Sequence, residues 1–167
     1  LLGQTYRDLE IILVDDGSTD NSLAICQRYA EKDLRIKIYH KPNGGVSSAR
    51  NLGLEKSTGT LISFADPDDS LHAECIERLK RVLDETGAEI AYCYGLDLLG
   101  TTGRTQTKSD ETGKVSVMPV RRYDWNSRKA HTVCWGALFR RAVTQDVVFD
   151  TDLKIGEDTL FLAKCIR

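Results

Sequence analysis

Residues 9–18 read LEIILVDDGS, and this stretch decides the fold. Its apolar part has the length and composition of a buried β-strand, and the acids, glycine and serine that follow are typical of a turn. A helix is expected next, with Ser18, Thr19 or Asp20 as its cap. A second apolar segment at 35–39 alternates with polar residues and predicts another strand. Strand, helix and strand in this order indicate a βαβ unit.

The same alternation continues through the first half of the chain. The sequence predicts strands at 9–14, 35–39, 60–65 and 89–94 and helices at 18–31, 47–54 and 71–85, the last with an apolar stripe of Ile76, Leu79, Val82 and Leu83. This order predicts an α/β fold with a mainly parallel sheet flanked by helices. Residues 99–113 are polar and rich in Gly and Thr, which predicts a hairpin or mobile loop. Regularity returns at 137–143 and in a helix at 156–166, so we expect one domain with an irregular second half.

Composition sets further limits. The 167 residues are 41% hydrophobic and 29% charged, which suits a globular domain that needs no disulfide to form a core. The formal net charge of −2 gives no argument for nucleic acid as a partner. Residues 1–100 carry 17 acids and 11 bases, whereas 101–167 carry 8 acids and 12 bases. Five separated cysteines without a CxxC pair predict reduced thiols and a cytoplasmic location, and no apolar run is long enough to span a membrane.

Two predicted strands end in acids. Asp15 and Asp16 close the first strand, and Asp66, Asp68 and Asp69 follow the third. Ligands of open α/β sheets bind beyond the carboxyl ends of the strands, so we expect these carboxylates at one edge. Their repulsion is costly unless a cation offsets it, and Mg²⁺ is commonly held by one or two carboxylates together with substrate phosphates. The sequence therefore suggests a site for a metal and a diphosphate.

Several of these residues also suit roles outside such a site. Asp69 or Ser70 could cap the third helix, and Asp20 could cap the first. The chain has neither GxxxxGK[ST] nor GxGxxG, which excludes a P-loop and a Rossmann-type dinucleotide-binding motif. A D-x-D-x-T phosphatase pattern fails at Gly17, and a calcium-binding loop fails at Leu71.

Six segments come in the order and approximate spacing of the inverting family 2 glycosyltransferases with the GT-A fold, which this chain resembles. They are QTY at 4–6, VDDGSTD at 14–20, NGGV at 43–46, ARNLG at 49–53, DPDD at 66–69 and GED at 156–158. One such segment would mean little, but six in order are specific. The resemblance runs from residue 1 to the end, is dense through about residue 79 and is sparse from 94 to 135.

The resemblance implies a nucleotide-sugar site in the first half. Asp15 and Asp16 would contact the nucleotide base and ribose, and Arg50 would help to hold the nucleotide. The D-x-D motif corresponds to Asp66 and Asp68. Asp68 would ligate Mg²⁺ or Mn²⁺, and Asp66 would sit near the ribose or the water ligands of the metal. The alternative for Arg50 is a surface salt bridge on a short helix.

For the second half, the resemblance implies an acceptor site. Glu157 and Asp158 match the family's E-D motif, whose aspartate is the general base. An inverting transfer needs a carboxylate within hydrogen-bond reach of the acceptor hydroxyl, on the face opposite the leaving diphosphate. We expect the N–H groups of the helix to hold Asp158 and favour its charged form, the alternative being ordinary helix capping for both acids. Trp135 and Glu157 are candidate acceptor-binding residues, and Ala137 departs from the lysine that is frequent in the family.

The resemblance thus implies a transferase that moves a sugar from a nucleotide diphosphate, preferably UDP, to an acceptor hydroxyl in cell-surface polysaccharide synthesis. Residues 1–95 would bind the nucleotide sugar and 96–167 the glycan acceptor. Tyr123 and Trp125 are expected in core or lid packing, and the histidines are assigned no chemistry. Peripheral association with the inner face of a membrane is a further expectation, because the second half is basic.

Two alternatives remain open. One is a nucleotide-sugar-binding or interaction module without turnover. The other is a nucleotidyltransferase or phosphatase, which would need a Lys or Arg in a Gly-rich loop or a second acid at Gly17, and the sequence shows neither. Family members begin with an apolar strand that precedes the first residue here and carry a basic or aromatic segment beyond the base. We therefore expect this chain to be part of a larger catalytic domain and its own activity to be impaired.

Overall fold

The structure, a computed structural model, describes residues 1–92 and 133–166. Its elements in chain order are β1 (Ile11–Asp15), α1 (Ser22–Ala30), β2 (Ile36–His40), α2 (Gly45–Lys56), β3 (Leu61–Ile62), α3 (Cys75–Thr86), β4 (Ile90–Tyr92), β5 (Ala137–Arg140), α4 (Arg141–Thr144) and α5 (Glu157–Cys165). The expected hairpin or loop at 99–113 and the packing expected of Tyr123 and Trp125 lie outside the described residues. Among the helices of the two described ranges, none has the length and apolar character that crossing a membrane requires.

The strands form two sheets. β1 and β2 are the parallel pair that the βαβ pattern predicts, with Ile11 opposite Ile36 and Asp15 opposite His40. In the second sheet β5 lies between β3 and β4 and is antiparallel to both. β3 and β4 therefore share one direction, as their connection through α3 predicts. The fold is α/β as expected, with a parallel pair in the first sheet and β5 antiparallel to both of its neighbours in the second.

The side chains of β5 face two apolar clusters. Ala137 and Phe139 belong to a cluster that includes residues of α5, whereas Leu138 belongs to a cluster on α3. Successive residues of a strand point to opposite faces, so this short strand contributes to both layers of the core. The first cluster consists of Ile62, Cys134, Ala137, Phe139, Phe149, Phe161, Leu162 and Cys165. The second consists of Cys75, Leu79, Leu83, Ala91 and Leu138.

Helix α2 begins earlier and ends later than the sequence predicts. Local signals favour a serine cap at Ser47 or Ser48, whereas the helix starts at Gly45. The carboxylate of Asp16 accepts hydrogen bonds from the backbone N–H groups of Gly44 and Gly45. The free N–H groups at the helix start thus find their acceptor 28 residues back in the chain. Local capping rules cannot identify such an acceptor.

Helix α3 begins at Cys75, later than the predicted residue 71. The buried side chain of Gln4 donates from Nε2 to the carbonyl of His72 at 2.7 Å and accepts from the N–H of Ile76 at 3.1 Å. The N–H of Thr5 also donates to the carbonyl of Ala73 at 2.8 Å. The N-terminal segment thus bonds to the carbonyls of His72 and Ala73 just before the helix and to the N–H of Ile76 in its first turn.

Candidate active site

A cluster of three carboxylates surrounds one arginine. Arg50 Nη2 lies 2.9 Å from Asp66 Oδ1, and Arg50 Nη1 lies 3.2 Å from Glu157 Oε1. Nη1 also forms an ion pair with Asp158 Oδ1. The Arg50 side chain is only 11% exposed, so these pairs are shielded from water more than surface salt bridges are. The structure therefore brings together four of the residues that the sequence singled out.

Three elements carry this cluster. Arg50 is in α2, Asp66 follows β3, and the two acids form the first turn of α5. Asn51 fixes α2 to the segment before α5, because its Nδ2 donates to the Phe149 carbonyl at 2.9 Å and its Oδ1 accepts from the Phe149 N–H at 2.8 Å. The Phe149 ring lies 5.3 Å from Arg50 Cζ in a cation–π contact.

Asp158 is buried, and hydrogen bonds from outside its own helix hold it. Its Oδ2 accepts from the backbone N–H of Cys134 at 3.0 Å, and its Oδ1 accepts from Arg50. The sequence predicts that the N–H groups of α5 hold this carboxylate, whereas the hydrogen bonds to its oxygens come from Cys134 and Arg50. The pKa of Asp158 shifts in the direction opposite to the expected stabilisation of its charged form. Burial raises the pKa of Asp158, and it outweighs the Cys134 hydrogen bond and the Arg50 charge.

The other acid pair lies at the end of β1. Asp15 Oδ2 is 2.6 Å from His40 Nδ1, and the Asp15 side chain is almost fully buried. Hydrogen bonds from Ser18 and His40 hold the pKa of Asp15 below its usual range. His40 is assigned no chemistry from the sequence, although the parallel register of β1 and β2 places it directly opposite Asp15. Pairing the two predicted strands would have identified this contact.

Asp16 has three donors of its own. Lys41 Nζ lies 2.5 Å from Asp16 Oδ1, and the N–H groups of Gly44 and Gly45 donate at 3.0 and 2.7 Å. Burial alone would raise the pKa of Asp16, but these hydrogen bonds outweigh it and the pKa is lowered. A Cβ at Gly44 would lie 2.8 Å from Lys41 Nζ and 2.9 Å from Ser48 Oγ, so a larger residue there would force these two side chains to move. Asp16 therefore holds the loop between β2 and α2.

Replacing Asp16 by Ala should lower the free energy of unfolding by about 1–2 kcal/mol, because the start of α2 loses its acceptor. The stabilisation is present above the unfolded pKa of Asp16 and should be lost as the pH falls through the lowered folded value. Urea denaturation between pH 3 and 7 measures both effects. Asp20→Ala is the matched control, because this exposed acid bonds to Ser22, its near neighbour in the chain, rather than to a distant segment. An Asp16→Ala protein as stable as the control would contradict the prediction.

The remaining candidates lie around these groups. Asp68 is exposed, and within residues 1–92 and 133–166 it has no hydrogen bond or ion pair. Asp69 next to it has a raised pKa, caused by burial and by the charges of Asp66 and Asp68. Trp135 is half-buried and forms an isolated parallel bridge with Phe64, close in the chain to Asp66. In the part of the chain that the structure describes, no three His, Cys, Asp or Glu side chains are grouped to hold a metal ion.

The site also contains residues that sequence reasoning did not identify. Cys134 contributes its backbone N–H to Asp158, Phe149 contributes its ring to Arg50, and Asn51 connects the two elements. A backbone donor has no residue signature, and the Asn51–Phe149 pair spans 98 positions. Asn51 stands in the ARNLG segment next to Arg50, which is the one signal that could have drawn attention to it.

Comparison with known proteins defines the class. The crystal structure of S. aureus TarS 1–349 superposes with a TM-score of 0.79 at 26% identity and covers 98% of this chain and 48% of that one. The mannosyltransferase PcManGT from Pyrobaculum calidifontis, in complex with GDP-Man and Mn²⁺, superposes with a TM-score of 0.69 at 20% identity, over 98% of this chain and 45% of that one. The predicted GT-A fold is therefore confirmed.

Sequence comparison identifies the family. Residues 1–148 match the model of Glycosyl transferase family 2, and this chain belongs to that family. It is 33% identical over 180 residues to the uncharacterized glycosyltransferase EpsJ of Bacillus subtilis (strain 168), across 100% of this chain and 50% of EpsJ. The chain thus spans about half the length of this relative, and of the two structures above.

Proposed function

We propose that this chain takes part in transferring a sugar from a nucleotide-diphosphate donor to an acceptor hydroxyl, with inversion at the sugar. The observation that carries the proposal is the contact of Arg50 with both Asp66 and Asp158. Through this contact the acid after β3, where the donor is expected, lies beside a buried carboxylate that can accept a proton. Family membership supports the reaction class.

Asp158 is the general base of the proposed reaction. Its carboxylate takes the proton of the acceptor hydroxyl while the hydroxyl oxygen forms a bond to the anomeric carbon. The bond from that carbon to the diphosphate oxygen breaks, and its electron pair leaves with the diphosphate. Attack from the opposite face inverts the configuration. Burial supports this role, because it raises the pKa of Asp158 and so makes the carboxylate a stronger base.

The acids after β3 fit a divalent cation such as Mg²⁺ or Mn²⁺. Asp68 offers an exposed carboxylate, and the raised pKa of Asp69 reflects burial together with the charges of Asp66 and Asp68. One or two carboxylates are sufficient when donor phosphates and water complete the coordination shell. A cation bound there would offset the charge on the departing diphosphate. The structure of PcManGT is a complex with GDP-Man and Mn²⁺, which supports a divalent cation in this site. Because the donor there is a GDP sugar, both UDP and GDP donors should be tested.

The remaining assignments follow from this function. Residues 1–95 form the donor side and 96–167 the acceptor side, with Asp15 and Asp16 near the nucleotide and Trp135 and Glu157 near the acceptor. We propose a cell-surface polysaccharide as the product and the cytoplasm, at the inner face of the membrane, as the location. The alternative function is a nucleotide-sugar-binding module without turnover. It is favoured by one observation, that both carboxylate oxygens of Asp158 already accept hydrogen bonds.

Calorimetry tests the donor and the metal. UDP or GDP should bind the full protein in the presence of Mn²⁺ and bind more weakly without it. Asp68→Ala should weaken the Mn²⁺-dependent binding by about tenfold or more, because a metal ligand is lost. Asp146→Ala is the matched control, since this exposed acid lies in the described part of the chain away from the cluster.

One outcome tests the metal assignment, and two others separate the two functions. Binding that ignores Mn²⁺, or that Asp68→Ala leaves unchanged, would contradict the metal assignment. Metal-dependent binding together with release of nucleotide in the presence of an acceptor supports the transferase. Metal-dependent binding without any transfer by the full protein, across UDP and GDP sugars, would favour the binding module.

A further inference from the structure

Both terminal nitrogens of the Arg50 guanidinium are paired with carboxylates of the protein. Nη2 pairs with Asp66, and Nη1 pairs with both Glu157 and Asp158. The ring of Phe149 lies 5.3 Å from Cζ, and only 11% of the side chain is exposed. Both terminal nitrogens of the guanidinium thus already bond to carboxylates of the protein. This arrangement differs from the direct nucleotide contact that the sequence resemblance implies.

Asp158 is held at both oxygens by donors from different parts of the fold. Arg50 of α2 donates to Oδ1, and the Cys134 N–H, just before β5, donates to Oδ2. Two such hydrogen bonds fix the plane of the carboxylate. Each oxygen has a further lone pair, so Asp158 can still accept a proton from a substrate.

We propose that Arg50 is a positioning residue for the general base Asp158, an inference that rests on the proposed function. Its guanidinium holds Asp158 in the orientation in which the carboxylate meets the acceptor hydroxyl, and its second branch connects that orientation to Asp66 on the donor side. Arg50 contributes little to the affinity for the nucleotide itself.

The charges around Asp158 make this role measurable. The groups that face it within the described residues are Arg50 on α2, Asp66 after β3, Glu157 on α5 and the Cys134 thiol. Arg50 is the cation of this set and lowers the pKa of Asp158, whereas burial and the two acids raise it. Removing the positive charge should therefore raise the pKa of Asp158 further. A lysine keeps the charge but lacks the planar fork that reaches two carboxylates at once.

The test uses Arg50→Gln and Arg50→Lys in the full protein. Both should lower kcat about 10²-fold, because the base loses its alignment, while the Kd for UDP or GDP with Mn²⁺ stays close to that of the unmodified protein. The acid limb of the kcat–pH profile should move to higher pH in Arg50→Gln and stay near its original position in Arg50→Lys. Carboxyl ¹³C NMR of Asp158 should show the same shifts without turnover.

Arg141→Gln is the matched control, since this half-buried arginine donates to the Gly59 carbonyl and to Ser57 Oγ, away from Asp158. Thermal unfolding of all variants separates lost alignment from lost folding. A Kd that rises in step with the loss of kcat, or an Asp158 pKa that Arg50→Gln leaves unmoved, would overturn the positioning role. Absence of transfer in the unmodified protein, with the NMR shift still present, would instead refute the proposed function.

Discussion

Asp158→Asn should reduce sugar transfer by about 10²–10⁴-fold, the usual contribution of a general base. Asparagine has nearly the same shape and can still accept the Cys134 hydrogen bond, so the fold should survive. It cannot take the proton of the acceptor hydroxyl. The Kd for the nucleotide with Mn²⁺ should change little, because the substitution leaves the acids after β1 and β3 intact. Transfer assays and calorimetry on the full protein measure the two effects separately.

Two further variants sharpen this result. Glu157 lies in the same first turn of α5 as Asp158 but is less buried. Glu157→Gln should therefore reduce sugar transfer less than Asp158→Asn does. Asp152→Asn is the control for a carboxylate lost from the exposed segment before the helix. Retained sugar transfer in Asp158→Asn would refute the assignment of the base. A larger loss of activity in Glu157→Gln would assign the role of general base to Glu157 instead.

The pH dependence of transfer follows from the same carboxylate. Asp158 must be deprotonated to accept a proton, and burial raises its pKa above the ordinary value of 3.8. Transfer should therefore fall as the pH drops through this raised value, at a higher pH than an exposed aspartate would require. The residual activity of Asp158→Asn should lack this limb. A limb that persists in the variant would belong to another group.

Phe161→Ala should cause the largest loss of stability among single changes near the site. Phe161 is fully buried, stacks on Phe149 with ring centroids 4.0 Å apart, and meets Phe64 and Phe139 edge to face. Truncating such a side chain leaves a cavity and costs about 3–5 kcal/mol. In a chain of this size the melting temperature should fall by roughly 10 °C. Urea denaturation gives the free energy directly.

The control for this change is Leu34→Ala, because Leu34 is 96% exposed and its loss should stay within about 0.5 kcal/mol. Phe161→Leu refills most of the volume and should cost less than Phe161→Ala. Since Phe149 contacts Arg50, the alanine variant should also weaken the alignment of the cluster. A Phe161→Ala protein as stable as the Leu34→Ala protein would contradict the central place of the aromatic cluster in the core.

Much of the first half of the fold could be predicted from the sequence. The parallel pair of β1 and β2 follows from an apolar run, a turn, a helix and a second run, all of which are local patterns. The apolar stripe of α3 was also predicted, and Ile76, Leu79 and Leu83 are buried as expected. The family itself was identified from short ordered segments. These features depend on residues close together in the chain, and so they are visible without coordinates.

The tertiary structure alone decided how the site is connected. Asp16 caps α2 from 28 residues away, and Arg50 reaches Glu157 and Asp158 across 107 and 108 positions. No local pattern records such pairs, because the chain between them can fold in many ways. The sequence determined which residue types could do the chemistry. Packing of α2 and α5 against the aromatic cluster decided that the proposed base is buried, carries a raised pKa and faces an arginine rather than its own helix terminus.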